Sequence, residues 1–229
     1  MSLPIHEIFK SWQGEGRFAG QSAFFIRTYG CPVQCPWCDS AGTWHKDYRP
    51  SKVNKMQVEE LVLAAKNSDT HFTVVTGGEP CIHNLIPLTE LMRGYGIDVH
   101  LETSGAFPIR GEFEWVTVSP KIAKLPLASS LNRANEIKLI IDSPDALEEW
   151  ENRLNGIFPN WNSEVRLIYL HPEWSQRENP AILNAITRAI SRNKQYIAGW
   201  QLHKLYGSDA LDPRSAPLVP LGGNPKLGM

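Results

Sequence analysis

Three cysteines that could share one metal centre stand near the start of the chain, in Cys31-Pro-Val-Gln-Cys35-Pro-Trp-Cys38. Cysteine thiolates bind zinc and iron–sulfur clusters, and a structural zinc site needs four ligands in a closed tetrahedron. The remaining cysteine, Cys81, lies far along the chain. Three neighbouring thiolates suit a four-iron cluster in which one iron keeps an open position for a small molecule.

A non-catalytic zinc-binding module is the alternative from a different functional class. Its fourth ligand would be His45 or Cys81. A lone loop histidine is more often solvated than bound to metal, and Cys81 follows Pro80 as a small residue typical of a buried position. The residues themselves leave both hypotheses open at this point.

Length and composition favour one α/β domain without disulfides. The chain has 229 residues and a net charge of −1, which gives no general reason to expect nucleic acid or an anionic membrane as a partner. No run approaches the roughly 20 apolar residues of a membrane span, and the N-terminus lacks the pattern of a signal peptide. We therefore expect a cytoplasmic protein, in which clustered cysteines more often bind metal than form disulfides.

Short apolar runs alternate with helical patterns along most of the chain. A capping box from Asn54 to Gln57 predicts the first helix, and Ser143-Pro144 and Asn179-Pro180 predict the starts of two later ones. A further helix is predicted over residues 85–92. Strands are predicted over residues 23–27, 72–75, 97–101, 115–118, 137–141, 165–170 and 197–202.

This strand–helix pattern, repeated about six times, predicts a parallel sheet covered by helices, either barrel-like or doubly wound. It spans a core domain of residues 1–206. The remaining residues, 207–229, are rich in Pro, Gly and Ser and are predicted to form an irregular C-terminal extension.

Polar motifs follow five of the predicted strands. In parallel α/β folds the loops at the carboxyl ends of strands build the site, so we expect these motifs to converge. Arg27 closes its strand and is interpreted as pointing into the same pocket or as forming an edge salt bridge. The five motifs are the cysteine loop, Thr76–Pro80, Glu102–Gly105, Ser119–Lys121 and Leu170–Pro172.

The cysteine spacing followed by Thr76-Gly-Gly-Glu-Pro80 resembles radical S-adenosylmethionine enzymes, and further motifs narrow the resemblance to the 7-carboxy-7-deazaguanine synthase family. The similarity covers about residues 5–206. A glycyl-radical-activating enzyme, which modifies a partner protein, is the alternative among radical enzymes, but the Gln13 motif and Ser40 argue against it. The further motifs are Gln13-Gly-Glu-Gly16, Arg27, Glu102-Thr-Ser-Gly105, Val118-Ser-Pro-Lys121 and Gln201-x-His203-Lys204.

The resemblance implies a shortened, partly open (β/α)6 barrel with parallel strands. It also implies a reaction, the ring contraction of 6-carboxy-5,6,7,8-tetrahydropterin to 7-carboxy-7-deazaguanine with loss of ammonia, on the route to queuosine and other 7-deazapurines. The implied cofactors are a [4Fe-4S] cluster, S-adenosylmethionine and Mg²⁺. The implied partners are a flavodoxin or ferredoxin as electron donor and a second copy of the chain in a homodimer.

Residue roles follow from the same resemblance. Cys31, Cys35 and Cys38 would hold three irons, and Ser40, where many relatives have threonine, would bind Mg²⁺. The cofactor S-adenosylmethionine would contact Trp37, Cys38, Asp39, Gly77, Gly78, Glu79, Ser104, Ser119, Pro120, Lys121, Tyr169, Leu170, His171 and Pro172. The pterin would contact Trp12, Gln13, Gly14, Glu15, Arg27, Thr76 and His203.

Two of these assignments carry an open question. His203 is either a substrate contact, a proton-transfer group or a packed core histidine. Many relatives end soon after the His-Lys pair, whereas this chain continues to Met229. A substrate contact made by a terminal carboxylate in shorter relatives therefore cannot be assumed here.

Overall fold

A computed structural model describes residues 1–163 and 166–215 of the chain and shows one sheet of nine strands. In chain order the strands are β1 (Ser2–Trp12), β2 (Ser22–Thr28), β3 (Asn54–Gln57), β4 (Phe72–Gly77), β5 (Val99–Thr103), β6 (Trp115–Val118), β7 (Glu136–Ile141), β8 (Leu167–Pro172) and β9 (Tyr196–Ala198). Their order across the sheet is β3-β1-β2-β4-β5-β6-β7-β8-β9.

The sheet is open and mostly parallel. Neighbouring strands from β2 through β4 to β9 all pair in parallel, whereas β1 pairs antiparallel with both β2 and β3. The predicted class, a partial α/β barrel that does not close, is confirmed. Strands β1 and β3 at one end of the sheet, of which β1 runs antiparallel to the others, were not predicted.

Strand β1 was not predicted from the sequence because its buried positions are not all apolar. Alternate residues are buried along it, and these include Glu7 and Ser11 as well as Leu3, Ile5 and Phe9. The period-two apolar pattern is therefore interrupted twice, at Glu7, which pairs with Arg27 near the end of β2, and at Ser11, which pairs with Ala23 near its start.

The capping box was predicted to begin at Asn54, but it begins three residues later, at Gln57. Residues 54–57 form β3, which pairs with the first residues of β1, from Ser2↔Gln57 to Ile5↔Asn54. The helix begins one residue later, with Gln57 as its N-cap, and the Gln57 amide donates to Glu60 Oε2 at 2.8 Å. The capping box is real, but its partners are Gln57 and Glu60.

Six helices occur in the described residues: α1 (Val58–Lys66), α2 (Ile86–Gly94), α3 (Ala128–Arg133), α4 (Ala146–Ile157), α5 (Pro180–Arg192) and α6 (Leu202–Tyr206). The Asn179 cap of α5 is confirmed, since its Oδ1 accepts from the Ala181 amide at 3.0 Å. Helix α4 begins after Asp145, two residues beyond the predicted Pro144 start. Helices α3 and α6 are too short to show a helical period in the sequence.

Several strand boundaries also differ from the prediction. The predicted final strand over 197–202 is wrong in its second half, because β9 ends at Ala198 and Leu202 begins α6. Strand β8 starts at Leu167, and the predicted residue 165 lies outside the described residues. The strand predicted over 97–101 is shifted by two residues to Val99–Thr103.

The two faces of the sheet have different environments. On β2 the side chains of Phe24 and Ile26 join the main core, which the helices cover, whereas Phe25 packs on Phe9 in a smaller cluster on the other face. We call this second face the inner face. Arg27 follows on it, in register with Thr76 of β4. The inner face is thus apolar at one end and polar at the carboxyl ends of the parallel strands.

No helix in the described part of the chain is both long and apolar enough to cross a membrane.

Candidate active site

The polar end of the inner face opens into one cavity, whose wall contains the cysteine loop and the substrate residues predicted from the sequence. The wall includes Trp12, Gln13, Gly14, Glu15, Arg27, Cys31, Cys35, Trp37, Cys38, Asp39, Ser40, Thr76, Gly77, Gly78, Glu79, Ser104, Ser119, Lys121, Pro172 and His203. The predicted residues outside this wall are Pro120, Tyr169, Leu170 and His171. Leu170 is fully buried in the main core.

The three loop cysteines are free thiols that face the cavity together. Burial raises the pKa of Cys31 and Cys35, and it raises the pKa of Cys38 to about 12. Two neighbouring groups act in the opposite direction and lower these pKa values. The Trp44 indole N–H donates to Cys38 Sγ at 3.4 Å, and the positive charge of Lys121 acts on Cys35. Thiols in this setting ionise when they bind a metal centre, and their softness suits iron–sulfur chemistry.

Neither proposed fourth zinc ligand lies in the cavity wall. Cys81 is buried in the main core, and the His45 ring packs between Trp44 and Tyr48. In the described residues no three His, Cys, Asp or Glu side chains already surround a common metal position.

The glycine pair after β4 lies in close contact with the start of the cysteine loop. A Cβ on Gly77 would lie 2.3 Å from the Thr28 nitrogen, and one on Gly78 would lie 2.2 Å from the Gly30 oxygen. The amide of Gly78 donates to Thr28 O at 3.0 Å, and that of Glu79 donates to Gly30 O at 2.8 Å. The two glycines are thus required because backbone meets backbone here.

Glu79 connects the glycine loop to the loop after β5. Its carboxylate is buried and accepts from the Cys81 amide at 3.0 Å and from Thr103 Oγ1 at 2.5 Å. It also accepts from the Ser104 amide at 2.9 Å and from the Ser104 hydroxyl. Because both oxygens are occupied by protein donors, the side chain positions the two loops and leaves their main chain to face the cavity.

Arg27 combines both interpretations offered by the sequence, a pocket residue and a salt bridge. Its Nε donates to Glu7 Oε1 at 2.6 Å and its Nη1 donates to Ser40 Oγ at 2.8 Å. Burial would lower the pKa of Arg27, but the charges of Glu7, Asp209 and Asp39 outweigh it and raise that pKa. The guanidinium is therefore a permanent, oriented cation in the cavity wall.

Asp39 lies between the cysteine loop and helix α6. Its Oδ2 is 3.1 Å from the Lys204 ammonium, and its Oδ1 accepts from the Ser40 hydroxyl at 3.4 Å. Burial would raise the pKa of Asp39, but the charges of Lys204 and His203 outweigh it and lower that pKa to about 2. The carboxylate and the Ser40 hydroxyl thus present hard oxygen atoms side by side.

The Gln13–Gly16 loop, which the sequence predicts to contact the substrate and which we call the substrate loop, is held by a buried ion network. The Lys138 ammonium binds Glu15 Oε2 and lies 3.1 Å from Glu102 Oε2. Gln13 Nε2 donates to Glu102 Oε1 at 2.8 Å, and Gln201 Nε2 donates to Glu15 Oε1 at 2.6 Å. The loop after β1, strands β5 and β7, and the residue before α6 are therefore brought together at the carboxylates of Glu15 and Glu102.

The network fixes the charge of Glu15. Burial would raise its pKa, but the positive charge of Lys138, with smaller effects of His171 and His203, keeps that pKa well below the ordinary value. Burial would lower the pKa of Lys138, yet Glu102 and Glu15 raise it. Glu15 is therefore an ionised acceptor whose partner stays protonated.

The sequence analysis gave no individual role to three residues that hold this network together, Glu102, Lys138 and Gln201, although Glu102 and Gln201 belong to motifs that it singled out. A signal for Lys138 exists in Glu136-Ile-Lys-Leu-Ile-Ile141, where charged residues alternate with apolar ones before the run becomes apolar. In a buried strand such alternation indicates that one face meets a polar site. Glu102 begins a strand-end motif whose serine, Ser104, was the only residue assigned a role.

The two histidines of the predicted site have different environments. His203 belongs to α6 and packs on Gly14, where a Cβ would lie 2.0 Å from its Nδ1. His171 is buried against Gly199, where a Cβ would lie 2.2 Å from its Nε2. Neither ring nitrogen of His171 has a hydrogen-bond partner in the described residues, and burial lowers its pKa to about 4.

No protein-family model matches the chain. The 7-carboxy-7-deazaguanine synthase of Synechocystis sp. is 42% identical over 207 residues, which cover 90% of this chain and 94% of that protein. The protein of the same name from Escherichia coli K12 is 36% identical over 225 residues, covering 89% of this chain and 98% of that protein. The chain belongs to the 7-carboxy-7-deazaguanine synthase family.

A solved structure supports the same family. The crystal structure of QueE from Escherichia coli matches with a TM-score of 0.75 and 36% identity, covering 89% of this chain and 95% of that chain. The chain is therefore an enzyme of the radical S-adenosylmethionine lyase kind that acts on a small molecule. Membership of this family decides against the zinc-binding module and the glycyl-radical-activating enzyme.

Glu136 is a buried acid beside Gly16 and Arg17. It is 2% exposed, its Oε2 accepts from the Arg17 amide at 2.9 Å, and a Cβ on Gly16 would lie 2.0 Å from its Oε1. Burial raises its pKa from 4.5 to about 7. Near neutral pH this acid is thus partly protonated while Glu15 is ionised.

Replacing Gly78 with alanine should disturb the cysteine loop, because the new Cβ would lie 2.2 Å from Gly30 O and 3.0 Å from Cys31 Cβ. We expect the free energy of unfolding to fall by about 1–3 kcal/mol, with weaker S-adenosylmethionine binding, measured by chemical denaturation and titration calorimetry. The matched control is Gly94→Ala at the end of α2, where a Cβ meets nothing within 4 Å. Equal behaviour of the two variants would contradict the close contact at Gly78.

Replacing Glu136 with glutamine should change how stability depends on pH. Between pH 4.5 and about 7 the folded state binds this proton and the unfolded state does not, so the stabilisation present at low pH is lost as pH rises. Relative to wild type, E136Q should gain on the order of 3 kcal/mol in unfolding free energy from pH 4.5 to pH 8, measured by urea denaturation.

The control for that measurement is Glu178→Gln, whose side chain is 84% exposed. This variant should follow the wild-type pH profile. An E136Q profile parallel to that of wild type would show that Glu136 titrates normally in the folded protein.

Proposed function

We propose that the chain converts 6-carboxy-5,6,7,8-tetrahydropterin into 7-carboxy-7-deazaguanine with loss of ammonia, as its named relatives imply. The observation that carries the proposal is that the Cys31–Cys38 loop and the Gln13–Glu15 loop line one cavity. A cofactor held at the first loop and a pterin held at the second would lie in the same enclosed space, which a hydrogen-transfer reaction requires.

The residues of the cysteine loop fit a [4Fe-4S] cluster by donor type and position. Cys31, Cys35 and Cys38 would hold it, with Trp37 and Asp39 beside them in the cavity wall. When bound, the cluster and S-adenosylmethionine supply the radical that removes a hydrogen atom from C6 of the pterin. The protein's own task is to orient both molecules and to exclude water.

The cofactor side of the cavity suits S-adenosylmethionine. Carbonyl oxygens of Gly77 and Gly78 would accept from its ammonium group, because their loop faces the cavity beside Cys31. Lys121 is held by Ser119, whose carbonyl and hydroxyl oxygens accept from its ammonium at 2.7 and 2.6 Å. This cation would bind the cofactor carboxylate. Ser104 and Pro172 also lie in the cavity wall and are proposed as further contacts, whereas the assignments of Pro120 and residues 169–171, outside the wall, rest on family resemblance alone.

The substrate side presents charges that match the pterin. The ionised Glu15, with Gln13 and Gly14, would accept from and donate to the pyrimidinone edge. Arg27 would bind the substrate carboxylate as a planar fork, and Thr76 lies beside it in register on β4. The remaining predicted substrate contacts in the wall are Trp12 and His203.

Ser40 suits Mg²⁺ because its hydroxyl oxygen lies next to the Asp39 carboxylate. Magnesium prefers such hard oxygen donors and keeps several waters or substrate oxygens as its other ligands. The substrate carboxylate at Arg27 would supply one of them.

Three further features are proposed on family resemblance. The protein would work in the cytoplasm, where its thiols stay reduced. A flavodoxin or ferredoxin would supply the electron, and the active form would be a homodimer.

The experiment that tests the central proposal is anaerobic incubation with 6-carboxytetrahydropterin, S-adenosylmethionine, Mg²⁺ and a reductant. Absence of the deazaguanine product would overturn it.

Replacing Cys35 with alanine should abolish cluster binding and turnover, because two thiolates leave the cluster without a third protein ligand. Bound iron, sulfide and product formation measure the effect after anaerobic reconstitution. Cys81→Ala is the matched control, since this thiol is buried in the main core outside the cavity wall. A cluster retained in C35A, or lost in C81A, would contradict the assignment.

Replacing Ser40 with alanine should weaken the stimulation of turnover by Mg²⁺ about ten-fold or more, the scale of losing one charge-assisted oxygen contact. Ser40→Thr should restore the response because it keeps the hydroxyl. Ser191→Ala on the exposed face of α5 is the control. Identical magnesium titrations for S40A and wild type would exclude Ser40 as a ligand.

A further inference from the structure

The described part of the C-terminal extension lies along the free edge of β1. Strand β3 covers only residues 2–5 of β1, so the edge beyond them needs other partners. Tyr206 packs edge-on against Trp12 with ring centroids 5.4 Å apart. Asp212 Oδ2 then accepts from the backbone amide of Lys10 at 2.7 Å. Residues 206–212, which we call the C-terminal strap, thus follow β1 in the opposite direction.

The C-terminal strap places one carboxylate, that of Asp209, in the cavity wall. The Ser11 hydroxyl donates to Asp209 Oδ1 at 3.0 Å, and the Ser208 hydroxyl lies 3.4 Å from the same oxygen. Ser11 also donates to the buried Ser208 at 3.1 Å, which anchors the strap. In residues 1–163 and 166–215, no donor reaches Asp209 Oδ2 and no cation lies within salt-bridge distance.

This oxygen distinguishes Asp209 from the other anionic side chains near the substrate. Glu15 is bound by Lys138 and Gln201, and Asp39 is bound by Lys204. Asp209 has only neutral hydroxyl donors, so it keeps an acceptor for a ligand. Its negative charge acts on Arg27, where it is second only to Glu7 among the charges that raise the pKa of the guanidinium.

The proposed substrate has an edge that matches a neighbouring cation and anion. In 6-carboxy-5,6,7,8-tetrahydropterin, C6 carries a carboxylate and the adjacent N5 carries a hydrogen, as in an α-amino acid. A guanidinium suits the carboxylate, and a carboxylate oxygen suits the N–H. We propose that Asp209 is a substrate-binding residue that accepts a hydrogen bond from N5–H while Arg27 binds the substrate carboxylate.

This inference rests on the proposed function and gives the C-terminal strap a role in specificity. A fully oxidised 6-carboxypterin has a lone pair at N5 in place of the N–H. An anionic acceptor opposite that lone pair would repel the oxidised compound and attract the reduced one. Asp209 would thereby select the tetrahydro state of the ring before any chemistry begins.

The test compares two ligands on wild type and Asp209→Asn, using cluster-loaded full-length enzyme with S-adenosylmethionine and no reductant. Anaerobic calorimetry would give Kd for 6-carboxytetrahydropterin and for 6-carboxypterin. In D209N the reduced ligand should bind about ten-fold more weakly, while the oxidised ligand should bind as well as in wild type or better. The ratio of the two Kd values should therefore change by ten-fold or more.

Asp212→Asn is the matched control, because Asp212 belongs to the same strap but lies outside the cavity wall. It should leave the ratio of the two Kd values unchanged, and all variants should keep the wild-type affinity for S-adenosylmethionine. If D209N fails to fold, Asp209→Ser carries the same measurement with a smaller neutral side chain.

Equal weakening of both ligands in D209N, or an unchanged ratio, would overturn the role of Asp209 in reading N5–H. These outcomes are separate from a failure of the proposed function. A wild-type enzyme that binds but never converts 6-carboxytetrahydropterin would refute the proposed reaction. An enzyme that converts it with an unchanged D209N ratio would refute only this inference.

Discussion

One buried ammonium group, that of Lys138, holds the substrate end of the cavity together. Its side chain is 7% exposed, and it contacts both Glu15, in the loop after β1, and Glu102, in β5. Removing one partner from a buried ion pair is costly because the remaining charge is left uncompensated. The positions of the substrate loop and of the β5 strand end are therefore coupled through a single cation.

The same network determines the charge that a substrate meets. Lys138 is shared by two carboxylates, so its positive charge cannot neutralise both, and Gln13 and Gln201 donate to the remaining oxygens without adding charge. Glu136 lies close enough to interact with all three charged members, and its burial favours the protonated form. This part of the cavity wall therefore mainly accepts hydrogen bonds, which suits a heterocycle rich in N–H donors. The permanent cation at Arg27 lies apart from this network in the same cavity wall, as the proposed partner of the substrate carboxylate.

How much of this site could be predicted depends on whether its members are neighbours in sequence. The Cys31–Cys38 loop and the Thr76–Pro80 loop are continuous motifs, so residue type and spacing were enough to predict that they line one site. Lys138 and Gln201 reach Glu15 only because of the strand order and the inner-face register, which a single sequence does not display. Strand β1 was missed for a related reason, since its inward positions become polar where they approach the site.

The open edge of the sheet explains why the chain beyond α6 has a part in the site. A closed barrel would have no edge strand, but here β3 pairs only with residues 2–5 of β1, so the later backbone groups on this edge need other partners. A segment that satisfies the Lys10 amide must run alongside Ser11 and Trp12, which lead directly into the substrate loop. Any polar side chain on its inward side then faces the substrate end of the cavity. One packing contact thus covers the edge of the sheet and also brings Asp209 into the cavity wall.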